Sequence, residues 1–586
     1  MIRKLIRQML SAQIFSALAV SLCLLVDNIM IGRFLGEQAM AAYSLANPLV
    51  LSIGAVGTLL SAGVQVACGK SLGYGSQEET NAGYSSAVAV SAIVAGLFMA
   101  VVLLFAPALA RIMGAGETGS LFDMTKGYLV GFSIGAPGCM GALVLVPFLQ
   151  MAGQAGLLIA GVLCMTVADI ALDLLSVKVF NGGMFGMGLA SSLSYYVVMI
   201  VVGFYFLSKR CVFRFSPGQV TLRKIRELIR GGIPACFNML SSVILVFVLN
   251  RILKSAGGSS ALAAYAVITA LGNAANCITT GIGGVSLTLS GIFYHEEDRT
   301  ALRAVVQNLC RYGAALGFGM AVFLILAAPV LVSLFIPEEG EARQMAVLGL
   351  RLFSAGMIPC SINNALKNMY QGTGRELLTV GISLLEGAAF PALAAFVFSR
   401  FMGTPGGWLY FPAGEWLTLL FTGCLAALLA RKLPWREDAV LLLKKNFGAG
   451  PGQLLEMDIH SMQEVTEASR RAERFCRDQG LGEKTSNHIA LCVEEMAGNT
   501  IQHGFTKDNR HHNLSVRLLR KEKDLVLRFR DDCGAFDPVH YIPKGSEDAL
   551  GIRLILAFAR EANYTYALNL NNVCIRIRDE EETAEC

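Results

Sequence analysis

The feature that most constrains this chain of 586 residues is a series of apolar segments that recurs from Ile14 to Ala430. Each segment is about 20 residues long, the length that a helix needs to cross the roughly 30 Å hydrocarbon core of a bilayer. By this length we count about twelve of them. Hydrophobic residues make up 54% of the chain and charged residues only 16%, whereas about a quarter of a soluble domain is charged. The sequence therefore predicts an all-α polytopic membrane bundle.

Basic residues concentrate beside the apolar segments, where they report orientation in the membrane. They lie at the N-terminus, in the central connection and after the last segment: Arg3, Lys4, Arg7; Lys209, Arg210, Arg214, Arg223, Lys224, Arg226, Arg230; Arg431, Lys432, Arg436. Because cytoplasmic connections carry the excess of lysine and arginine, we expect a multi-pass protein of the cytoplasmic membrane with both termini in the cytoplasm. The net charge of +5 reflects these connections, so we expect no nucleic-acid partner.

Composition changes abruptly near Leu433, where the apolar segments end. Residues 434–452 are polar and contain glycine, and the sequence beyond them mixes charged, alternating and helical patterns. Such a polar, glycine-containing stretch is typical of a linker between domains. We expect a transmembrane domain at residues 1–432, a linker at 433–452 and a soluble cytosolic domain at 453–586.

The membrane part contains an internal repeat. Two blocks of residues recur with nearly one offset of roughly 220 residues, as expected for two copies of a six-helix unit. In the first block Asn28, Gly36, Ala41, Ala42 and Tyr43 recur as Asn250, Gly258, Ala263, Ala264 and Tyr265. In the second Phe132, Ser133, Gly135, Cys139, Gln150 and Gly153 recur as Phe353, Ser354, Gly356, Cys360, Gln371 and Gly374. We expect two parallel halves, at about 1–210 and 225–432, around a central cavity. This is transporter architecture, which a receptor could also inherit.

Three aspartates lie within the apolar segments. An acidic residue there costs about 2.5 to 3.5 kcal/mol on insertion scales, so it persists mostly where it binds an ion, a proton or a substrate. Asp27 ends the first segment, and Asp169 and Asp173 are four residues apart in the fifth, hence on one helix face. Close carboxylates suit Na+ or a shared proton. The alternative is that Asp27 and Asp173 lie hydrated near the headgroups.

Glu386, Glu415 and Lys367 are weaker candidates in the second half of the membrane part. Either glutamate can pair with a nearby basic residue or approach the interface. Lys367, in the tenth segment, can line a cavity or extend its ammonium group to the interface, as lysines near helix ends do. We keep Glu386 and Lys367 as candidate cavity residues.

The aspartate-containing segments also carry a family pattern. In Val26-Asp27-Asn28-Ile29-Met30-Ile31-Gly32 an apolar run, an aspartate and a small polar residue precede glycine, and the stretch from Asp169 ends in Gly186-Met187-Gly188-Leu189-Ala190. Across about residues 1–432 the sequence resembles the multidrug and toxic compound extrusion (MATE) family. The resemblance implies that Asp27 is a carboxylate of the coupling-cation site. Asp173 matches a family aspartate, whereas Asp169 replaces the asparagine four residues before it.

The resemblance also implies which half couples transport to the cation. Some family members carry a glutamate eight residues after a proline in the seventh helix, but here Pro234 leads to Ser242. We therefore expect the coupling site in the N-terminal half. The implied function is export of small organic or drug-like compounds in exchange for Na+ or H+. Lipid-linked oligosaccharide flippases share this architecture and are the nearest rival.

The sequence after Gln453 predicts a soluble α/β sandwich of a strand, two helices and further strands. Residues 461–479 and 485–503 have helical periodicity, and residues 514–519 and 525–530 alternate as strands do. The second helix places Glu495, Asn499 and His503 at i, i+4 and i+8, on one face. A carboxylate there can accept a proton and an asparagine oxygen can bind Mg2+. A solvated helix face would explain the residues equally well.

Two later segments make the spacing informative. Arg530-Asp531-Asp532-Cys533-Gly534-Ala535-Phe536-Asp537-Pro538 follows a strand, and Ala549-Leu550-Gly551-Ile552-Arg553-Leu554-Ile555 opens a helix. With the helix of Glu495 they resemble GHKL ATPases, specifically anti-sigma-factor serine kinases, over about residues 453–580. The resemblance implies Glu495 as catalytic base, Asn499 as Mg2+ ligand, and nucleotide contacts from Asn499, His503, Asp531, Gly534 and Gly551.

The match leaves two questions open. Anchoring on Phe536-Asp537-Pro538 makes Asp531 the adenine-binding residue, whereas Asp532-x-Gly534 is the alternative register. Cys533, Ala535 and Ala549 stand where glycines let backbone amides approach phosphates, so they are expected to weaken nucleotide binding. The implied cofactor is Mg-ATP, and the implied partner is a cytosolic anti-sigma-antagonist-like (STAS) protein.

Two functional hypotheses follow. The first is a cation-coupled antiporter, embedded in the lipid bilayer and acting on a small-molecule substrate, with a regulatory cytosolic ATP-binding domain. The second is a membrane receptor whose kinase-like domain binds or phosphorylates the STAS-like partner. ATP-driven transport is not expected, since the sequence lacks the GxxxxGK[ST] loop that cradles phosphates.

Overall fold

The structure is a computed structural model. It describes residues 2–208, 211–337, 339–431, 437–444, 447–450, 452–507, 511–521, 524–541 and 550–578. Six residues named in the predictions above lie outside these ranges: Lys209, Arg210, Lys432, Leu433, Arg436 and Ala549.

The first half of the membrane domain is built of helices, because in lipid every backbone polar group must find its partner within the segment. Its helices are α1 (Ile2–Met30), α2 (Glu37–Gly73), α3 (Gln77–Ile112), α4 (Ser120–Ser133), α5 (Ala136–Met151), α6 (Ala155–Lys178) and α7 (Gly183–Leu207). A π-helical turn at Ile31–Leu35 separates α1 from α2.

The second half repeats this order. Its helices are α8 (Leu222–Ala275), α9 (Cys277–His295), α10 (Arg299–Ser333), α11 (Glu341–Ser354), α12 (Met357–Gly372), α13 (Glu376–Leu384), α14 (Phe390–Met402), α15 (Thr404–Gly407) and α16 (Tyr410–Ala430). A π-helical turn at Leu385–Ala389 joins α13 to α14. The short α17 (Glu437–Val440) follows the last span.

The number of spans agrees with the sequence prediction. Among the described residues ten helices are long and apolar enough to cross a membrane, or up to twelve if α4 with α5 and α11 with α12 each count as one bent span. Large apolar side chains such as Leu104 and Leu326, both 74% exposed, cover the outside of the bundle. The chain is an integral membrane protein, and the predicted count of about twelve is confirmed.

The internal repeat is visible in the backbone. The two bent spans break by 46° and 48° at equivalent places. Gly36 and Gly258 both adopt positive φ, 87° and 63°, where the first span of each half ends, and Gly153 and Gly374 do so at 74° and 76° after the bent spans. Only glycine takes these angles without strain, which explains why these four residues recur in the sequence. The prediction of two six-helix pseudo-repeats is confirmed.

The C-terminal domain is an antiparallel sheet covered on one face by helices. In chain order its elements are β1 (Leu454–Ile459), α18 (Met462–Asp478), α19 (Glu483–Asn499), β2 (Leu514–Lys521), β3 (Asp524–Asp531), α20 (Leu550–Phe558), β4 (Glu561–Ala567) and β5 (Leu570–Arg578). The strand order is β1-β2-β3-β5-β4. Alternation sends Val516, Leu527 and Phe529 into the core under the helices and leaves a polar opposite face. The predicted α/β sandwich is confirmed.

Candidate functional site

The three membrane aspartates meet in the first half of the bundle. Asp27 comes from α1, and Asp169 and Asp173 come from successive turns of α6. Each offers a carboxylate oxygen within 4.8 Å of the other two. Their side chains are enclosed by protein, with residue exposures of 6%, 2% and 0%. This burial argues against the alternative in which Asp27 and Asp173 are hydrated near the headgroups.

The acidic cluster of Asp27, Asp169 and Asp173 has few polar neighbours. Ser191 donates a hydrogen bond to Asp27 Oδ2 at 3.4 Å. Asp27 Oδ1, Asp169 Oδ2 and both oxygens of Asp173 are buried without a hydrogen-bond partner in the described part of the chain. Three such carboxylates cannot all remain ionised in a site of low dielectric, because each charge opposes the others and each has lost its water. The cluster therefore suits bound protons or a hard cation with oxygen ligands.

A second acidic cluster lies in the other half. Cys360, Glu386 and Glu415 present ligand atoms within 4.8 Å of one another. Here, however, Lys367 Nζ lies 2.5 Å from Glu386 Oε2, and Asn363 Nδ2 donates to Glu415 Oε2 at 2.8 Å. This pairing and the 7% exposure of Lys367 argue against the alternative in which its ammonium group extends to the interface.

Sequence reasoning missed part of this second cluster. Asn363 and Cys360 lie on α12 with Lys367, and Asn238 on α8 accepts a hydrogen bond from the Lys367 ammonium at 3.4 Å. Glu386 sits in the π-helical turn between α13 and α14, a local distortion that often marks functional positions. The sequence signal available was the Asn363-Asn364 pair, since uncharged amides within a span also need partners.

The nucleotide-site candidates of the C-terminal domain surround one cavity of about 400 Å³. Asn499 reaches it from the end of α19, and His503 from the π-helical turn Thr500–Gly504 that follows. Asp531 and Gly534 line the opposite wall at the end of β3. The structure thus brings four of the six predicted site residues of this domain around one cavity.

Asp531 and Asp532 have different environments, which bears on the two registers of the motif. Asp531 is 6% exposed and lines the cavity. Its Oδ1 accepts hydrogen bonds from Asn571 Nδ2 at 2.8 Å and from the Cys533 backbone N–H at 3.0 Å. Burial raises the pKa of the Asp531 carboxyl. Asp532 instead accepts the backbone N–H of Asn513 at 2.8 Å, outside this cavity, so Asp531 is the better placed of the two.

Asn571 is a site residue that the sequence reasoning missed. Besides Asp531, its Nδ2 donates to the Gly534 carbonyl at 3.1 Å. Its Oδ1 accepts from the Phe536 backbone N–H at 3.1 Å and from Tyr564 Oη at 2.8 Å. The Asn571 side-chain amide therefore forms hydrogen bonds along the loop after β3 and fixes its position. It stands on β5, 40 residues from Asp531, and no local motif signals it.

Glu495 and Gly551 lie beside the cavity rather than in its lining. A Cβ added to Gly551, in the first turn of α20, would overlap the Glu495 carboxylate. Gly551 therefore allows α20 to approach α19 closely. The cysteine that replaces a family glycine, Cys533, is 5% exposed and packs against Gly504, while Ala535 is exposed.

Comparison with protein families gives two matches on this chain. A model of the family described as MatE matches residues 12–175 and 234–402. A model described as histidine kinase-like ATPase domain matches residues 461–577. The first match covers more than half of the chain and falls on both membrane halves. The second covers the sheet, the helices and the cavity described above.

Individual proteins agree with these matches. The multidrug export protein MepA of Staphylococcus saprophyticus is 24% identical over 387 residues, which are 65% of this chain and 83% of that protein. A crystal structure of MATE in complex with MaL6 superposes with a TM-score of 0.66 at 18% identity, covering 72% of this chain and 94% of the other. A MOP superfamily transporter from Pyrococcus furiosus gives 0.67 at 19% identity, with the same coverage. At these identities the structures show a shared fold.

Proposed function

Because this chain belongs to the MatE family, we propose that its membrane domain is a cation-coupled antiporter that exports small organic or drug-like compounds across the cytoplasmic membrane. The observation that carries the proposal is the buried acidic cluster, whose unpartnered oxygens need a proton or a cation. Two parallel six-helix halves are the architecture that alternating access uses. MepA, the relative described above, is named for multidrug export.

The coupling ion is Na+ or H+. Three carboxylates within 4.8 Å give Na+ enough oxygen ligands, and they can equally share protons. Asp169 adds a carboxylate where the family resemblance implies asparagine, which favours protons. The test uses vesicles that contain the full chain and a fluorescent organic cation, with either a pH gradient or a Na+ gradient imposed. If neither gradient drives export, the proposal is contradicted. Movement of a lipid-linked oligosaccharide instead would support a flippase.

The proposed orientation has both termini in the cytoplasm. It is supported by the clusters of lysine and arginine beside the spans and by the even number of spans in each half. Reporter fusions after the last span test it. An external C-terminus would overturn the orientation and would also remove the C-terminal domain from cellular ATP.

We further propose that the C-terminal domain binds Mg-ATP and regulates transport. Asn499 offers a side-chain oxygen for Mg2+ at the cavity wall, and Asp531 offers a carboxylate for the adenine amino group, held in place by Asn571. Bound ATP supplies a transferable phosphoryl group. Glu495, beside Gly551 at the start of α20, is the proposed base.

Titration of labelled ATP into the full chain tests nucleotide binding. Asn499→Ala should weaken Mg-dependent binding, whereas Glu495→Gln should retain nucleotide and lose phosphoryl transfer. Glu494→Gln, the exposed neighbour on α19, is the matched control. Because burial raises the pKa of Asp531, its carboxylate is lost on acidification earlier than that of a free aspartate, and nucleotide affinity should fall with it. No binding at millimolar ATP would make the domain a protein-docking module.

A second candidate function is favoured by the rim of the nucleotide cavity. Phe536 and Tyr541 are 40% and 42% exposed and their rings lie 5.2 Å apart, which offers an apolar contact beside the nucleotide. In this case the domain binds or phosphorylates an anti-sigma-antagonist-like STAS protein, and the membrane domain acts as its receptor. Phosphoserine on a STAS protein incubated with the full chain and Mg-ATP, lost in Glu495→Gln, would support it. Its absence would favour the regulatory role.

A further inference from the structure

The polar face of the C-terminal sheet is docked on the second membrane half. The connection between α9 and α10 presents three successive acidic residues to it. The ion pairs are Glu296–Arg528 at 3.2 Å, Glu296–Arg530, Glu297–Lys521 at 2.7 Å and Asp298–Arg517 at 2.8 Å. The Glu296 and Asp298 side chains are only 3% and 5% exposed. Buried pairs of this kind are costly to break one partner at a time, so the domain is firmly attached to this half.

The same domain touches the first membrane half through the tip of the β4–β5 hairpin. The Leu568 backbone N–H donates to the Met151 carbonyl at 2.6 Å, and Asn569 Nδ2 donates to the Gly153 carbonyl at 3.2 Å. Leu568 is 5% exposed and packs in the apolar core of the membrane domain. Gly153 is closely fitted, since a Cβ there would come within 2.5 Å of the Asn569 nitrogen. The strand β4 also lies close to this half, since a Cβ added to Gly75, between α2 and α3, would come 3.5 Å from the Asn563 Cβ.

The hairpin tip has an unfavourable backbone for its sequence. Leu568 and Asn569 both adopt positive φ, 59° and 60°, as in a type I′ turn, where Asn-Gly is the preferred pair. A leucine in this conformation is strained, because its Cβ comes too close to the following carbonyl oxygen. Insertion of its side chain into the first half offsets that strain.

The tip and the ion pairs are next to the nucleotide cavity. In the β3–β5 register Asp531 pairs with Asn571 and Arg530 pairs with Asn572. The first pair faces the cavity, while Arg530 and Asn572 both contact Glu296. A shift of β5 upon nucleotide binding would therefore move both the hairpin tip and the docked face.

We propose that the C-terminal domain is a clamp across the two membrane halves, attached to the second half by its ion pairs and to the first by the hairpin tip. The inference rests on the proposed transport function. Alternating access rocks one half against the other. The hydrogen bonds of 2.6 and 3.2 Å to Met151 and Gly153 would break if the halves separated on the side that faces the C-terminal domain. The clamp inhibits transport, and release of the tip, controlled by the nucleotide, relieves the inhibition.

The test is a reversible cross-link in the full chain between the first half and β4, Gly75→Cys with Asn563→Cys, where the Cβ positions are 3.5 Å apart, within the usual disulfide spacing. Oxidation should abolish transport and reduction should restore it. Each single variant and the unmodified chain receive the same oxidant, which controls for the native cysteines. Mg-ATP should slow formation of the cross-link. Leu568→Gly, which relieves the backbone strain and removes the apolar anchor, should raise the transport rate.

A second readout separates failure of the clamp from failure of the transport function. Spin labels at Tyr74 and Leu377, which are 52% and 90% exposed near the same side of the two halves, report the distance between the halves. Cross-linking should narrow the distribution of distances. Transport that continues in the cross-linked protein would overturn the clamp and leave the proposed function intact. If the distance distribution narrows but the reduced protein shows no transport, the clamp is retained and the proposed function is overturned. A distance distribution that cross-linking leaves unchanged would overturn the clamp in either case.

Discussion

The two membrane halves carry related acidic clusters that are neutralised differently. In the second half Lys367 lies 2.5 Å from Glu386, so the protein supplies its own cation. In the first half Asp27 lies beside two further carboxylates, Asp169 and Asp173, so a proton or cation bound there would come from outside. A site with a built-in ammonium group is complete without a coupling ion. Under the proposed transport function, this difference favours coupling in the first half and a structural role for the second cluster.

The repeat shows where the halves diverged. Since Asn28 recurs as Asn250, the position of Asp27 is occupied by Leu249, which is fully buried. The second half therefore has no carboxylate at the position equivalent to Asp27. Its acidic residues come from the later spans instead, Glu386 from the span equivalent to α6 and Glu415 from α16. The duplicated fold has kept its shape while the charged residues moved.

The largest effect is expected from removing charge in the first half. Asp27→Asn and Asp173→Asn should each reduce gradient-driven export to the level of empty vesicles, because an amide cannot carry the coupling charge. The folded state should persist, since the substitutions reduce buried charge. Asp123→Asn, an exposed acidic residue of α4 in the same half, is the control. Export at the unmodified rate in either cluster variant would break the assignment of coupling to this half.

The next largest effect concerns the stability of the second half. Lys367→Met leaves the Glu386 carboxylate buried without its partner, which should cost about 3 to 5 kcal/mol of unfolding free energy. The double variant with Glu386→Leu should recover most of this, because an apolar pair avoids the desolvation of both charges. Thermal unfolding in detergent measures both variants.

The same variant sharpens the comparison between the halves. Without its ammonium group the second cluster resembles the first, and the unpaired carboxylate should take up a proton or Na+ from solution. Stability of Lys367→Met should therefore rise as pH falls or Na+ is added, which is not expected of the unmodified pair. A single variant as stable as the unmodified protein under all conditions would contradict a neutralising role for Lys367.

The sequence was sufficient for the fold and for one of the two clusters. Apolar segments of membrane-spanning length predicted the helices. The glycines at 36, 153, 258 and 374 helped to reveal the repeat, and they recur because each adopts a positive φ. Asp169 and Asp173 could be paired because they lie on one helix, where spacing determines the face. The helix spacing likewise led to the nucleotide cavity.

The remaining contacts depend on how distant elements pack, which sequence spacing does not report. The Lys367–Glu386 pair joins α12 to a π-helical turn 19 residues away. Asn571 reaches Asp531 from another strand. The face shared by Glu495, Asn499 and His503 was expected from helical spacing. Asn499 and His503 line the cavity, whereas Glu495, one turn earlier on α19, lies against Gly551.

A smaller effect is expected from Asp169→Asn. The substitution restores the residue that the family resemblance implies and leaves Asp27 and Asp173 to hold the coupling ion. Export should persist, reduced by about tenfold at most, which corresponds to roughly 1.4 kcal/mol. Rates measured under pH and Na+ gradients should show a larger decrease for the proton-driven reaction. Complete loss of export would indicate that Asp169 binds the coupling ion directly, together with Asp27 and Asp173.

The smallest effect is expected from Glu415→Gln, and it is the most direct test of the comparison. Glu415 belongs to the second acidic cluster and is 5% exposed, so by burial alone it equals Asp173 as a coupling candidate. Its Oε2, however, already accepts a hydrogen bond from Asn363 at 2.8 Å, and the glutamine oxygen can accept the same bond. The change should therefore alter stability by no more than about 0.5 to 1.5 kcal/mol, the usual net worth of one hydrogen bond. Export should match the unmodified protein under both gradients, measured beside Asp173→Asn in the same vesicles. If Glu415→Gln abolishes export while the protein remains folded, the second half carries coupling charge as well, and the contrast between an externally and an internally neutralised cluster fails.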